Sequence, residues 1–145
     1  MRILLADGQP RVRFALRALL ERQPGMQVVG EAMDGDGLLA QAKEACPDLV
    51  LLDWGLTRLA GVDLLSALRG LCPGLFVVGI SERMGARQAA LAAGVDAFVS
   101  KADPPERLLA AIRGAKPIAS VAEPRREVEK QYLLASGSHH AGPIR

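Results

Sequence analysis

Short apolar runs alternate with amphipathic stretches along the first 115 residues of the chain. Between the runs, apolar residues recur every three or four positions, as they do on one face of a helix. The five apolar runs, which predict strands, cover residues 3–6, 27–32, 49–52, 75–80 and 97–100. The intervening helical faces are marked by Val12, Leu16, Leu19 and Leu20; Leu38, Leu39 and Ala42; Val62, Leu65 and Leu68; Met84 and Leu91; and Leu108, Leu109 and Ile112.

Helix-ending residues fall between these segments, where a turn back to the next strand is required. They are Pro24-Gly25, Pro47, Pro73-Gly74 and Gly94. The segment 103–106, Asp-Pro-Pro-Glu, resembles a capping box with proline in the first turn, and it predicts the start of the last helix.

Five strand–helix repeats imply right-handed crossovers and one parallel sheet with helices on both faces. The strands are nearly continuous in Val, Leu and Ile, as strands buried on both faces require. The predicted fold is therefore a (βα)₅ doubly wound α/β domain over residues 1–115. Residues 116–145 are predicted to be a C-terminal tail that could form a short helix over 124–134 and is otherwise expected to be disordered.

Polar residues follow four of the five predicted strands directly. They are Asp7, Asp53, Ser81 and Lys101. In open parallel sheets ligands bind outside the carboxyl ends of the strands, so these side chains are expected to converge at one edge.

Composition narrows the class of protein. Residues 1–115 hold 13 Lys/Arg and 13 Asp/Glu, so this part is not an electrostatic nucleic-acid binder. The opening apolar run is too short for a signal peptide, and we expect a soluble, cytoplasmic protein with no membrane contact. Cys46 and Cys72 are interpreted as small buried hydrophobic residues, although the sequence leaves a bridge between them open.

Several spaced motifs resemble the receiver domains of bacterial two-component response regulators. The resemblance is strongest to receivers that precede a helix-turn-helix output domain, here expected without that domain, and it implies the flavodoxin-like strand order 2-1-3-4-5. The motifs are Arg-Ile-Leu-Leu-Ala-Asp at 2–7, Val-Gly-Glu-Ala at 29–32, Pro-Asp-Leu-Val-Leu-Leu-Asp at 47–53, Ala-Gly-Val-Asp-Ala-Phe at 93–98 and Val-Ser-Lys at 99–101.

The resemblance implies a role for each residue at the predicted edge. Asp53 accepts a phosphoryl group from a histidine kinase or a phosphotransfer protein. Lys101 pairs with it, and Ser81 hydrogen-bonds a phosphoryl oxygen in the active state. Phe98 matches the aromatic side chain that changes rotamer on activation.

The resemblance also implies a magnesium site, and the sequence departs from the family at this point. Asp7, Asp53 and the main-chain carbonyl of Gly55 match the usual ligands, but Gly8 replaces a second acidic ligand. Mg²⁺ often retains several waters, so we expect binding that is weakened rather than lost.

Three alternative readings follow from the same residues. Gly8 favours a phosphorylation-independent pseudo-receiver that acts as a protein-interaction module. A haloacid-dehalogenase-type phosphatase requires an aspartate where Gly55 stands, and the chain leaves no room for a cap domain. Direct DNA binding is not expected, because the tail has no recognition-helix pattern.

The expected output is then a contact with a downstream protein or a homodimer. The domain is expected to be a signalling module rather than an enzyme, with at most self-phosphorylation and dephosphorylation at Asp53.

Overall fold

The computed structural model describes residues 1–57 and 62–115, with side chains described for 1–57 and 64–115. Five strands alternate with five α-helices, and a short 3₁₀ helix, Trp54–Thr57, follows the third strand. The strands are β1 (Arg2–Ala6), β2 (Gln27–Ala32), β3 (Leu49–Asp53), β4 (Phe76–Ser81) and β5 (Ala97–Ser100). The helices are α1 (Pro10–Glu21), α2 (Gly35–Ala45), α3 (Val62–Leu71), α4 (Ala86–Ala93) and α5 (Pro105–Arg113).

The five strands form one sheet in the order β2-β1-β3-β4-β5, and every pairing is parallel. This confirms the predicted (βα)₅ architecture and the flavodoxin-like strand order. Parallel strands that follow one another in the chain require a crossover connection, and α1, α2, α3 and α4 supply the four crossovers. As a result, the carboxyl ends of β1, β3, β4 and β5 lie side by side along one edge.

Two apolar clusters cover the two faces of the sheet. Side chains of α2, α3 and α4, such as Leu38, Leu68 and Ala90, pack on one face. Side chains of α1 and α5, such as Leu20 and Ile112, pack on the other. Each fully buried leucine or isoleucine contributes roughly 1.5–3 kcal/mol relative to an exposed one, so the two clusters hold the strand ends in register.

Two local predictions are wrong. Met84 was placed on a helical face, but α4 begins at Ala86, Gly85 at its N-cap has a left-handed φ of 89°, and Met84 is 94 % exposed. The capping box at 103–106 does not form, because α5 has Pro104 at its N-cap and no side-chain cap. The Asp103 carboxylate instead accepts a hydrogen bond from the Ser100 amide at 3.1 Å, which closes the turn after β5.

The interpretation of the cysteines holds for only one of them. Cys72 is buried, but Cys46 is exposed at the end of α2. The predicted tail and its helix over 124–134 lie outside the described residues. Within the described ranges, no helix is long and apolar enough to cross a membrane.

One carboxylate ties α1 to β2. Glu31 accepts hydrogen bonds from Arg13 Nε at 3.0 Å and from Arg17 Nε at 2.7 Å. The hydrogen bond from Arg17 lowers the pKa of Glu31 from its usual 4.5, and Arg13 adds to this effect, although partial burial opposes it. Because a lowered folded-state pKa means that the ionised form is preferred in the fold, this carboxylate stabilises the domain above its unfolded pKa.

We therefore expect Glu31→Gln to lower the free energy of unfolding by about 1 kcal/mol at neutral pH. This difference in the free energy of unfolding should shrink as the pH falls below about 4.5 and through the lower folded-state pKa. The wild-type carboxylate then becomes neutral, as the glutamine side chain already is. Urea unfolding across this range measures both effects. Glu44→Gln, on the exposed side of α2, is the matched control and should change little; a deficit independent of pH would contradict this account.

Candidate functional site

The four residues that follow the predicted strands do converge. Asp7 follows β1, Asp53 ends β3, Ser81 ends β4 and Lys101 follows β5. Since these strands are consecutive neighbours in the sheet, their carboxyl ends bring two carboxylates, a hydroxyl and an ammonium to one edge.

Lys101 holds the two carboxylates together. Its Nζ lies 2.7 Å from Asp7 Oδ2 and 3.6 Å from Asp53 Oδ2. Asp7 is fully buried, and its Oδ2 accepts no hydrogen bond of good geometry, so the ammonium is what compensates its buried charge. Asp53 keeps 18 % of its side chain exposed, which makes it the carboxylate that an incoming molecule can reach.

Local backbone turns fix both carboxylates. Asp7 Oδ1 accepts a hydrogen bond from the Gln9 amide at 2.9 Å in the turn before α1, where Pro10 suits the first helical position. Asp53 Oδ1 accepts one from the Gly55 amide at 3.1 Å. Each acidic side chain therefore has one oxygen held by main chain and the other directed to Lys101.

The turn after Asp53 has its own support. Thr57 is buried, and its hydroxyl donates to the Trp54 carbonyl at 2.6 Å, which closes the 3₁₀ turn. A Cβ added at Gly55 would lie 3.4 Å from Asp53 Oδ1, an ordinary contact distance, so this turn lies directly against the carboxylate.

Ser81 borders a cavity next to this turn. The cavity has a volume of about 290 Å³ and is lined on one side by Trp54, Gly55 and Thr57, and on the other by Ser81 and the loop that leads to α4. The Ser81 hydroxyl accepts a hydrogen bond from the Arg83 amide at 2.9 Å, and its own proton remains available to donate. The Ser81 carbonyl accepts from the Lys101 amide at 2.9 Å, which fixes the two residues side by side.

Phe98 is half-buried on β5 and packs against the same apolar cluster as α4. It pairs with Gly79 in the sheet, where an added Cβ would lie 3.2 Å from the Phe98 ring. Gly79 therefore leaves the space in which the ring rests.

The donor set suits a hard cation with few protein ligands. Asp7 and Asp53 supply carboxylate oxygens, which Mg²⁺ prefers, and the buried Asp7 Oδ2 lies 2.7 Å from the Lys101 ammonium. The part of the chain that the structure describes contains no group of three His, Cys, Asp or Glu side chains that could hold a metal. The two carboxylates therefore suit Mg²⁺ as a cation that takes few protein ligands and keeps several waters.

Arg13 is a contributor that the motifs did not reveal. Its Nη1 donates to the Asp7 carbonyl at 2.7 Å while its Nε binds Glu31. The available signal was its position in the first turn of α1, which begins three residues after Asp7, so that its long side chain reaches back over the end of β1.

This fold and this edge define a receiver-type α/β signalling domain, and comparisons with known proteins agree. The family described as the response regulator receiver domain matches residues 3–113. The chain belongs to that family, which confirms the resemblance found in the motifs.

Relatives and solved structures point to the same group. The nitrate/nitrite response regulator protein NarP of Escherichia coli is 37 % identical over 117 residues, which cover 79 % of this chain and 54 % of that protein. A LuxR-family two-component response regulator from an Aurantimonas species has a TM-score of 0.70 at 32 % identity, covering 77 % of this chain and 81 % of that one. The response regulator domain of Thermotoga maritima CheB also reaches 0.70, at 28 % identity, over 79 % and 95 % of the two chains. The chain spans about half the length of the curated relatives it matches.

We expect Lys101→Met to lower the free energy of unfolding by about 2 kcal/mol, because it leaves the buried Asp7 carboxylate without its cation. Asp7→Asn in the Lys101→Met background should recover much of that loss, since it removes the uncompensated charge. Chemical denaturation of the four proteins in this cycle measures the coupling. Lys43→Met, on the exposed side of α2, is the matched control, and additive effects of the two site substitutions would contradict a coupled pair.

Proposed function

We propose that this receiver domain accepts a phosphoryl group on Asp53 from the phosphohistidine of a histidine kinase or phosphotransfer protein, and that the modification changes its affinity for a downstream partner. The observation that carries the proposal is the accessible Asp53 carboxylate, 3.6 Å from an ammonium that a second, fully buried carboxylate holds in place. The regulatory class and the two-component setting are those of the family.

The transfer forms an acyl phosphate. A carboxylate oxygen of Asp53 attacks the phosphorus, the P–N bond to the donor imidazole breaks, and the electron pair returns to that nitrogen. The protein's task is chiefly to place the nucleophile and to neutralise the phosphoryl oxygens. The Gly55 amide orients Asp53, and Lys101 supplies the nearby positive charge.

Ser81 and Phe98 supply the response to the new group. The Ser81 hydroxyl borders the cavity beside the Asp53 turn and can donate a hydrogen bond to a phosphoryl oxygen. Such a bond would draw in the loop that leads to α4, and the Phe98 ring, packed against Gly79, would change rotamer with it. The surface of α4, β5 and α5 is then the part whose partner affinity changes.

Mg²⁺ would be held by Asp7, Asp53 and the Gly55 carbonyl, and would supply additional positive charge near the phosphoryl oxygens. Asp7 serves two cations in this scheme, because Lys101 already lies 2.7 Å from its Oδ2. Because Gly8 contributes no side-chain oxygen, the site binds the metal weakly. Lys101 then neutralises a larger share of the negative charge on the phosphoryl oxygens.

Incubation with acetyl phosphate and Mg²⁺ should add one phosphoryl group, about 80 Da by intact mass, because the Asp53 carboxylate is accessible. Asp53→Asn should abolish the adduct, since an amide oxygen is a poor nucleophile. Asp36→Asn, which alters an exposed carboxylate in the first turn of α2, is the matched control and should label like the wild type.

Two results would count against the proposal. Absence of the adduct at saturating Mg²⁺ would favour the phosphorylation-independent interaction module, and labelling that survives in Asp53→Asn would move the acceptor elsewhere. Circular dichroism of each variant establishes that a loss of labelling is not a loss of fold.

Gly8→Asp should tighten Mg²⁺ binding by about an order of magnitude, because it adds a negative oxygen ligand. The position has room for it: an added Cβ would lie 3.6 Å from the Met33 carbonyl and 3.9 Å from Leu56, both ordinary contacts. The fluorescence of Trp54, the single tryptophan of the chain and the neighbour of Asp53, reports the titration.

Gly8→Ala is the matched control, since it adds the Cβ without the carboxylate. Its Mg²⁺ affinity should equal that of the wild type. Equal affinity in the wild type and in Gly8→Asp would show that the missing ligand does not limit metal binding.

A further inference from the structure

Two thiols meet at the edge of the sheet opposite to Asp53. Cys46 follows α2 and Cys72 follows α3, and their Sγ atoms lie 3.1 Å apart. A disulfide bond has an S–S length of about 2.05 Å, so the sulfurs need to approach by only about 1 Å. The two residues are 26 positions apart in the sequence, and the packing of α2 against α3 brings them together.

The backbone at Cys46 is unusual. Its φ of 44° is left-handed, and among the described residues it is the one non-glycine with positive φ. Glycine is the ordinary choice at this point of a helix end, because a Cβ makes the conformation costly. The chain instead keeps a thiol here, and that thiol faces a second thiol.

Main-chain hydrogen bonds hold Cys46 in this position. Its amide donates to the Ala42 carbonyl at 2.8 Å, and its carbonyl accepts from Arg2 Nη1 at 3.1 Å. The Cys72 thiol also lies against Ala42, donating to the same carbonyl at 3.4 Å. The fold therefore fixes the main chain of Cys46 and the sulfur of Cys72 next to each other.

The two thiols differ in their exposure to solvent. Cys46 is exposed, whereas only 3 % of the surface of Cys72 is accessible to solvent. Burial, reinforced by the neighbouring Cys46, raises the pKa of the Cys72 thiol to about 11. The thiolate is the nucleophile in thiol–disulfide exchange, and an oxidant must also reach the sulfur. We therefore expect the exposed Cys46 to react first and the buried Cys72 to react second.

We propose that Cys46 and Cys72 are a modification site at which a low-molecular-weight disulfide oxidises the two thiols to a reversible intramolecular disulfide. In the first step the Cys46 thiolate attacks one sulfur of the small disulfide, forms a mixed disulfide and releases one small thiolate. In the second, Cys72 loses its proton to solvent and attacks the Cys46 sulfur, releasing the other small thiol. The protein loses two protons and two electrons, and the small disulfide is reduced to two thiols.

The bridge would close a covalent loop from Cys46 to Cys72 that contains the whole of β3 and Asp53 at its end. A cross-link of this span restricts the unfolded chain, so the oxidised domain should melt at a higher temperature than the reduced one. The inference is independent of phosphorylation, because it depends only on the two helix ends.

The test is incubation of the full chain with glutathione disulfide under native conditions, followed by alkylation with N-ethylmaleimide in denaturant, where both thiols are accessible, and by intact mass analysis. The wild type should lose about 2 Da and take up no maleimide, and dithiothreitol should restore two reactive thiols. Peptide mapping should find residues 46 and 72 linked, and the protein should remain monomeric on a non-reducing gel.

Two variants separate the steps. Cys72→Ala should accumulate the mixed disulfide at Cys46, because no second thiol resolves it. Cys46→Ser should remain unmodified, because the buried Cys72 is inaccessible to the reagent. Circular dichroism establishes that both variants are folded.

The proposal is overturned if the wild type retains two alkylatable thiols, if it stops at the mixed disulfide, or if the bridge forms only between two molecules. An unreactive Cys72→Ala would overturn it as well, since Cys46 would then not be the entry point.

Discussion

The candidate site depends on the contact between the Lys101 ammonium and the buried Asp7 carboxylate. A fully buried carboxylate is unfavourable unless a cation or hydrogen bonds compensate its charge, and here a single ammonium at 2.7 Å does most of this. The same contact fixes Lys101 above the sheet edge, within 3.6 Å of Asp53. Without Asp7 beneath it, a lysine on a loop would extend into solvent, and Asp53 would have no positioned cation.

The absence of an acidic side chain at position 8 changes the charge balance around that contact. Asp7, Asp53 and Lys101 together carry a net charge of −1, and a second acidic residue would make it −2. Under the proposed function, the smaller negative charge would weaken the attraction for Mg²⁺, but it would also lessen the repulsion of a phosphoryl group that brings a charge of roughly −1.5 to −2. The site therefore relies more on Lys101, whose charge is already divided between two carboxylates.

The sequence was sufficient to predict the fold and the edge at which the polar residues meet, because both follow from periodic patterns and from parallel-strand geometry. The sequence-based prediction was wrong where one local pattern is compatible with two different structures. Asp103 could cap α5 or close the turn after β5, and the Ser100 amide proved to be its partner. Met84 has helical spacing from Leu91, but the left-handed Gly85 starts α4 after it. The contact between Cys46 and Cys72 depends on the packing of α2 against α3, which the sequence pattern does not reveal.

The two chemically distinctive ends of the domain are joined by one strand. β3 begins three residues after Cys46 and ends at Asp53, and five residues of strand span about 16 Å. Sulfur chemistry at the thiol end cannot reach the Asp53 carboxylate at the other end directly. Any influence must pass through the position of β3 and α3, which the thiol pair would cross-link to α2. The Asp53 side chain is held by one hydrogen bond from the Gly55 main chain and by the ammonium that it shares with Asp7, so its geometry is set by the residues at its own end of the sheet. The cross-link would therefore change the stability of β3 rather than the position of the Asp53 carboxylate.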